Sequence, residues 1–106
     1  MGPYALTCRA EFRARHYSRG GPEHSHHYTI RATWGPYDAG GGFDAETCGG
    51  ALVRACEGLD GCLLNDELGS PTSEAVASHM GSVLDAMRVE VDADAGAFVV
   101  TWERRE

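Results

Sequence analysis

Two runs of strict alternation, separated by a glycine-rich break, constrain this chain more than anything else in it. Over residues 4–16, Phe12, Ala14 and His16 alternate with Arg13 and Arg15, the period of a half-buried strand. Residues 17–23 (Tyr-Ser-Arg-Gly-Gly-Pro-Glu) interrupt the pattern with loop residues. Over 24–34 it resumes, with His24, His26, Tyr28, Ile30, Ala32 and Trp34 on one face and Ser25, His27, Thr29, Arg31 and Thr33 on the other. Two such runs predict an antiparallel hairpin whose mouth is 17–23. In a strand, residues two apart point the same way. His24 and His26 therefore project side by side, and His16 joins them from the partner strand on the apolar side. His27 points away. Neutral imidazole is the commonest biological metal ligand, and three protein ligands leave a zinc ion one position for water or substrate. His16, His24 and His26 are thus the candidate metal ligands, with Zn2+ the expected ion.

The rest of the chain supplies a cover for that hairpin. Residues 35–43 read as a flexible connection. Asp44 is placed to cap a helix running to about residue 57, with Cys48, Leu52, Ala55, Cys56 and Leu59 on one stripe. A loop at 58–70 follows. Pro71 and Glu74 mark the start of a second helix, Thr72 to Met87, capped by Ser70 or Thr72 and buried along Val76, Met80, Val83, Leu84 and Met87. Residues 88–94 and 97–103 read as a closing hairpin around Asp94-Ala95-Gly96. The expected fold is a single α+β domain over 1–106, a ββααββ antiparallel sheet with two helices on one face.

Charge narrows the partners. Nine arginines, no lysine and sixteen acids give a formal charge of −7. That argues against nucleic acid or an anionic membrane surface. No stretch approaches the roughly 20 apolar residues of a membrane span, and the N-terminus lacks a signal-peptide plan, so a cytoplasmic location is expected. Cys8, Cys48, Cys56 and Cys62 have no C-x-x-C spacing; their even number leaves two disulfides open, and reduced, mostly buried thiols are the expectation. His79 reads as an exposed helical residue.

Four motifs in order carry a family likeness: Phe12-Arg-Ala14-Arg-His16, His24-Ser-His26-His-Tyr28, Leu59-Asp60-Gly-Cys-Leu-Leu64-Asn65 and Pro71-Thr72-Ser-Glu74. Together they resemble the 6-pyruvoyl- and 6-carboxy-tetrahydropterin synthases over most of the chain. The resemblance implies the tunnelling fold, zinc on His16, His24 and His26, and trimers or hexamers with active sites between subunits. The chain departs from the family in its proton-transfer groups. The loop 17–23 has no cysteine, Gly61 stands where the family has a histidine beside Asp60, and Ala75 replaces an asparagine. The late ring-anchoring glutamate would fall near Asp92, Ala93 and Asp94. A cupin metal motif also opens with H-x-H, but it requires a nearby glutamate and a histidine on a later strand, which this chain lacks.

These residues define the expectations. Asp60, Glu23 and Cys62 are the candidate catalytic groups, Asp60 through the resemblance and Glu23 through its place beside His24. Cys62, next to the missing histidine, reads as a relocated acid or nucleophile or as a buried structural thiol. Tyr17, His27, Asp92 and Asp94 are the candidate substrate contacts, the two aspartates being equally readable as turn residues. The expected activity is that of a zinc-dependent lyase, aldolase or cyclase. Its substrate would be a small polar molecule, pterin-like or a specialised metabolite, handled through metal-polarised oxygen and enolate chemistry. The alternative is an inert zinc-binding homologue serving as a ligand-binding or accessory subunit. Unpaired sheet edges in so small a domain favour a homo-oligomer under both.

Overall fold

The computed structural model describes residues 2–105. Strands β1 (Tyr4–His16) and β2 (His24–Tyr37) form the long hairpin, and β3 (Arg88–Ala93) and β4 (Phe98–Glu103) the short one. They make one antiparallel sheet in the order β1-β2-β3-β4. The hairpin register pairs Phe12 with Tyr28, Ala14 with His26 and His16 with His24. Directly opposed residues share a face, so the alternation in both strands sends one set of side chains to one side.

That side is the core. Phe12, Ala14, Tyr28, Ile30, Ala32, Trp34, Val89, Val91 and Ala93 are all buried there. Helix α1 (Ala45–Leu59) covers it with Cys48, Leu52, Cys56 and Leu59, and helix α3 (Ser73–Leu84) with Val76, Ala77, Met80 and Leu84. Each fully buried large side chain contributes about 2 kcal/mol. Burial of Leu52 and its neighbours therefore outweighs the roughly 1 kcal/mol that Gly49 and Gly50 each cost the helix. The caps form as expected: the Asp44 carboxylate accepts from the Thr47 N–H at 2.8 Å, and the Thr72 hydroxyl from the Ala75 N–H at 3.1 Å.

The second long helix departs from expectation in two places. It ends at Leu84, because Asp85 takes a left-handed conformation (φ 51°) and closes the last turn. Met87 is stitched into the sheet instead, donating its N–H to Thr33 O at 2.8 Å. Val83 is 56% exposed, and the buried stripe is rotated to include Ala77 and Gly81. The Trp102 ring causes this rotation by lying flush on Gly81. The expected loop at 58–70 holds a short helix, α2 (Leu64–Glu67), anchored by the fully buried Leu64. Just before it, Gly61 N–H bonds Arg13 O at 2.7 Å and Arg15 N–H bonds Cys62 O at 2.9 Å. This segment covers the upper free edge of β1, beside the histidines. No helix among the described residues is long and apolar enough to cross a membrane.

Candidate metal centre

The hairpin register brings His16, His24 and His26 together at the upper end of the sheet. Their ring centroids are 4.3, 4.6 and 4.8 Å apart, and one ring nitrogen from each lies within 4.8 Å of the other two. Among the described residues this is the one group of three or more His, Cys, Asp or Glu side chains placed to hold a metal ion.

The nitrogens are not equivalent. His24 Nδ1 is 3.1 Å from the Pro22 carbonyl oxygen, which only accepts, so Nδ1 carries the proton and Nε2 holds the free lone pair. His26 Nδ1 bonds the Asp94 carboxylate, which leaves its Nε2 free in the same way. Both nitrogens of His16 are buried and lack any hydrogen-bond partner, the only such side-chain atoms among the described residues. Burial holds the His16 imidazole below its ordinary pKa, helped by His24 and His26. The Pro71 carbonyl and Asp94 oppose that shift, the carbonyl without completing a bond to either nitrogen. Two pre-oriented imidazoles and one neutral, unpartnered imidazole make a donor set suited to a borderline-soft divalent cation.

A cavity of about 420 Å³ opens over these rings. Its walls include Ser18, the first turn of α3 (Thr72, Ser73, Glu74), Ala93 and the 65%-exposed Phe98. Tyr28 lies beneath, its phenol pushed up to about 12, chiefly by burial. Glu74 is the carboxylate lining this space. Read along the sequence it is a helix-start acid, and only the docking of α3 against the hairpin end brings it into the lining of the cavity that the histidines share.

The other candidates are distributed around this centre. Glu23 pairs with Arg15 at 3.0 Å on the opposite face of the hairpin. Asp60 closes α1 and accepts the Arg13 N–H at 2.9 Å, in a separate cavity with Arg13, Arg15 and Ser25 at the β1 edge. Cys62 is half-buried against the core, its thiol pushed up by burial and by Glu67. Tyr17 exposes its ring, while its backbone is gripped by the Asn65 amide through two bonds of 3.0 Å. That grip fixes the residue next to His16 and explains the asparagine at the end of the third motif. His27 faces the other side of the sheet and bonds Glu11. Asp92 faces that side too, accepting the Gly96 N–H and lying 3.8 Å from Arg31. Asp94 sits in the β3–β4 turn and reaches His26 with one oxygen and the His27 N–H with the other, at 3.0 Å.

All four thiols are free. Burial pushes the Cys56 thiol up to about 12, with Asp60 adding to the shift, so almost no thiolate exists at pH 8. A chromogenic thiol reagent at pH 8 is expected to leave Cys56 unmodified in the native protein and to titrate all four cysteines in denaturant.

No protein-family model and no curated protein sequence matches the chain. Among solved structures, the 6-pyruvoyl tetrahydropterin synthase of Caenorhabditis elegans aligns over 96% of each chain with a TM-score of 0.72, at 15% sequence identity. The alignment spans both hairpins and the helices between them. This chain therefore has the 6-pyruvoyl-tetrahydropterin-synthase fold, the tunnelling fold, in a strongly divergent sequence.

Proposed function

We propose that His16, His24 and His26 hold a zinc ion and that the chain is a zinc-dependent lyase, aldolase or cyclase acting on a small polar substrate. The observation that carries this is the pair of buried, unpartnered nitrogens on His16, facing two imidazoles whose Nε2 atoms are already free. An imidazole left in that state costs about 1–3 kcal/mol of desolvation, and a bound cation removes the cost. Zinc–nitrogen bonds of about 2.05 Å set tetrahedral donors roughly 3.3 Å apart, within reach of small ring rotations. When bound, the ion would supply Lewis-acid polarisation of a substrate oxygen.

The protein groups divide the remaining tasks. Ser18, Thr72 and Ser73 offer hydroxyls to a polar substrate, and Phe98 offers an apolar wall that limits water. Glu74 is the carboxylate placed to accept a proton inside the cavity. Tyr28 stays protonated through neutral pH and serves as a fixed neutral neighbour. Asp60 lies at the β1 edge, so its part in this chemistry requires assembly with a second subunit. A homo-oligomer, trimer or hexamer, belongs to the same proposal, and a monomer by light scattering would count against that part.

A second reading has its own support. Glu23 is paired with Arg15, Asp60 with a backbone N–H, and among the described residues no cysteine lines the cavity. Those placements favour a zinc-binding homologue without turnover, acting as a ligand-binding or accessory subunit. Metal analysis of the purified protein, joined to a turnover screen on pterin and aldol substrates, separates the two. About one zinc per chain with turnover lost in Glu74→Gln supports the enzyme. Zinc without turnover supports the second reading, and no stoichiometric zinc removes both.

A further inference from the structure

We infer that Asp94 is a positioning residue for the metal centre, and that the strained β3–β4 turn exists to hold its carboxylate against His26. The inference rests on the zinc reading above but concerns a residue outside the ligand set. Three observations converge on it.

First, the two Asp94 oxygens have separate tasks. One accepts from His26 Nδ1, and the other accepts the His27 backbone N–H at 3.0 Å. The Asp94 N–H in turn donates to the His27 carbonyl at 2.8 Å. The carboxylate is thus fixed to the β2 backbone one residue beyond the imidazole it orients, and swings away only by giving up both of its bonds. Second, this bond selects the His26 tautomer. With Nδ1–H directed at a carboxylate, the free lone pair is on Nε2, and the partial negative charge makes it a better donor. Third, the turn is built at a conformational cost. Asp94 (φ 52°) and Ala95 (φ 58°) are both left-handed, a conformation that side chains other than Gly, Asn or Asp adopt only under strain. The Ala97 N–H to Asp94 O bond puts Ala95 and Gly96 at the centre of the turn, where Asn-Gly would remove the cost that Ala95 carries. A turn selected for stability alone would not carry Ala95 there.

The test separates a metal role from a structural one. Asp94→Asn is nearly isosteric, tolerates the left-handed conformation and can keep the bond to the His27 N–H. Its zinc affinity, measured by competition with a chromophoric chelator, is expected to fall about 10–100-fold. The visible bands of the cobalt-substituted protein are expected to shift as His26 reorients. Combined with Ala95→Gly, the variant is expected to melt about 4 °C higher in its metal-free form while still binding zinc weakly. Glu90→Gln, the same charge change on the opposite sheet face, is expected to leave zinc affinity unchanged. Unchanged affinity in Asp94→Asn, or an equal loss in Glu90→Gln, would overturn the inference and leave the zinc reading intact. A wild-type protein that binds no zinc overturns both.

Discussion

Replacing His16 with leucine is expected to abolish the proposed zinc binding and, at the same time, to make the metal-free fold more stable. The two effects have one cause. Both His16 nitrogens are buried without partners, so the metal-free protein carries a desolvated imidazole that nothing satisfies. Removing it should raise the stability of the metal-free chain by about 1–2 kcal/mol. In zinc at about a thousand times its dissociation constant, the wild type gains about 4 kcal/mol through linkage and the variant gains nothing. Urea denaturation in chelator and again in excess zinc measures both quantities. The expected result is a crossing: the variant is more stable without metal and the wild type more stable with it. A variant less stable in both media would show that His16 belongs to the packing of the core.

The second large effect is a reversal of the usual rule for glycine in a helix. A glycine inside a helix costs about 1 kcal/mol relative to alanine, so filling it normally stabilises. At Gly81 the Trp102 ring stands where the side chain would go, at 2.4 Å from the position of a Cβ. Gly81→Val is therefore expected to destabilise by about 3 kcal/mol, since α3 must lift from β4 to admit it. Gly58 in α1 provides the contrast, because a Cβ there meets nothing within 4 Å. Gly58→Ala is expected to stabilise by about 0.5–1 kcal/mol. Thermal denaturation of the two variants beside the parent reads the difference in sign directly.

The contrast between those glycines also shows which parts of the fold were legible in the sequence. The long hairpin was legible because a two-residue period is a local property, and the same period placed three histidines on one face. The caps at Asp44 and Thr72 were legible for a similar reason. What escaped depends on partners far along the chain. The rotation of the α3 stripe away from Val83 follows from Trp102, which no helical periodicity contains. The short helix at Leu64–Glu67 follows from burial of Leu64 beside β1. Glu23 and Glu74 are both acids near a motif, and nothing local says that one meets Arg15 while the other lines the cavity. Asp94 reaches His26 across 68 positions, so its two readings as turn residue or substrate contact left out the partner it has.

The unequal lengths of the strands have a consequence for how the centre behaves in time. β3 pairs with β2 only from Tyr28 to Thr33, so His24 and His26 lie on a two-stranded overhang beyond the rest of the sheet. A two-stranded ribbon is marginal by itself. The overhang is held by discrete fastenings, namely Asn65 on Tyr17, Asp94 on His26 and His27, and the Gly61–Cys62 strap on β1. Releasing a fastening opens this end while Ile30, Leu52 and Met80 stay packed, at a fraction of the free energy of global unfolding. An ion held by the three histidines would therefore enter and leave by local fraying, at a rate set by those few bonds, while the hydrophobic core keeps its own, much slower, clock.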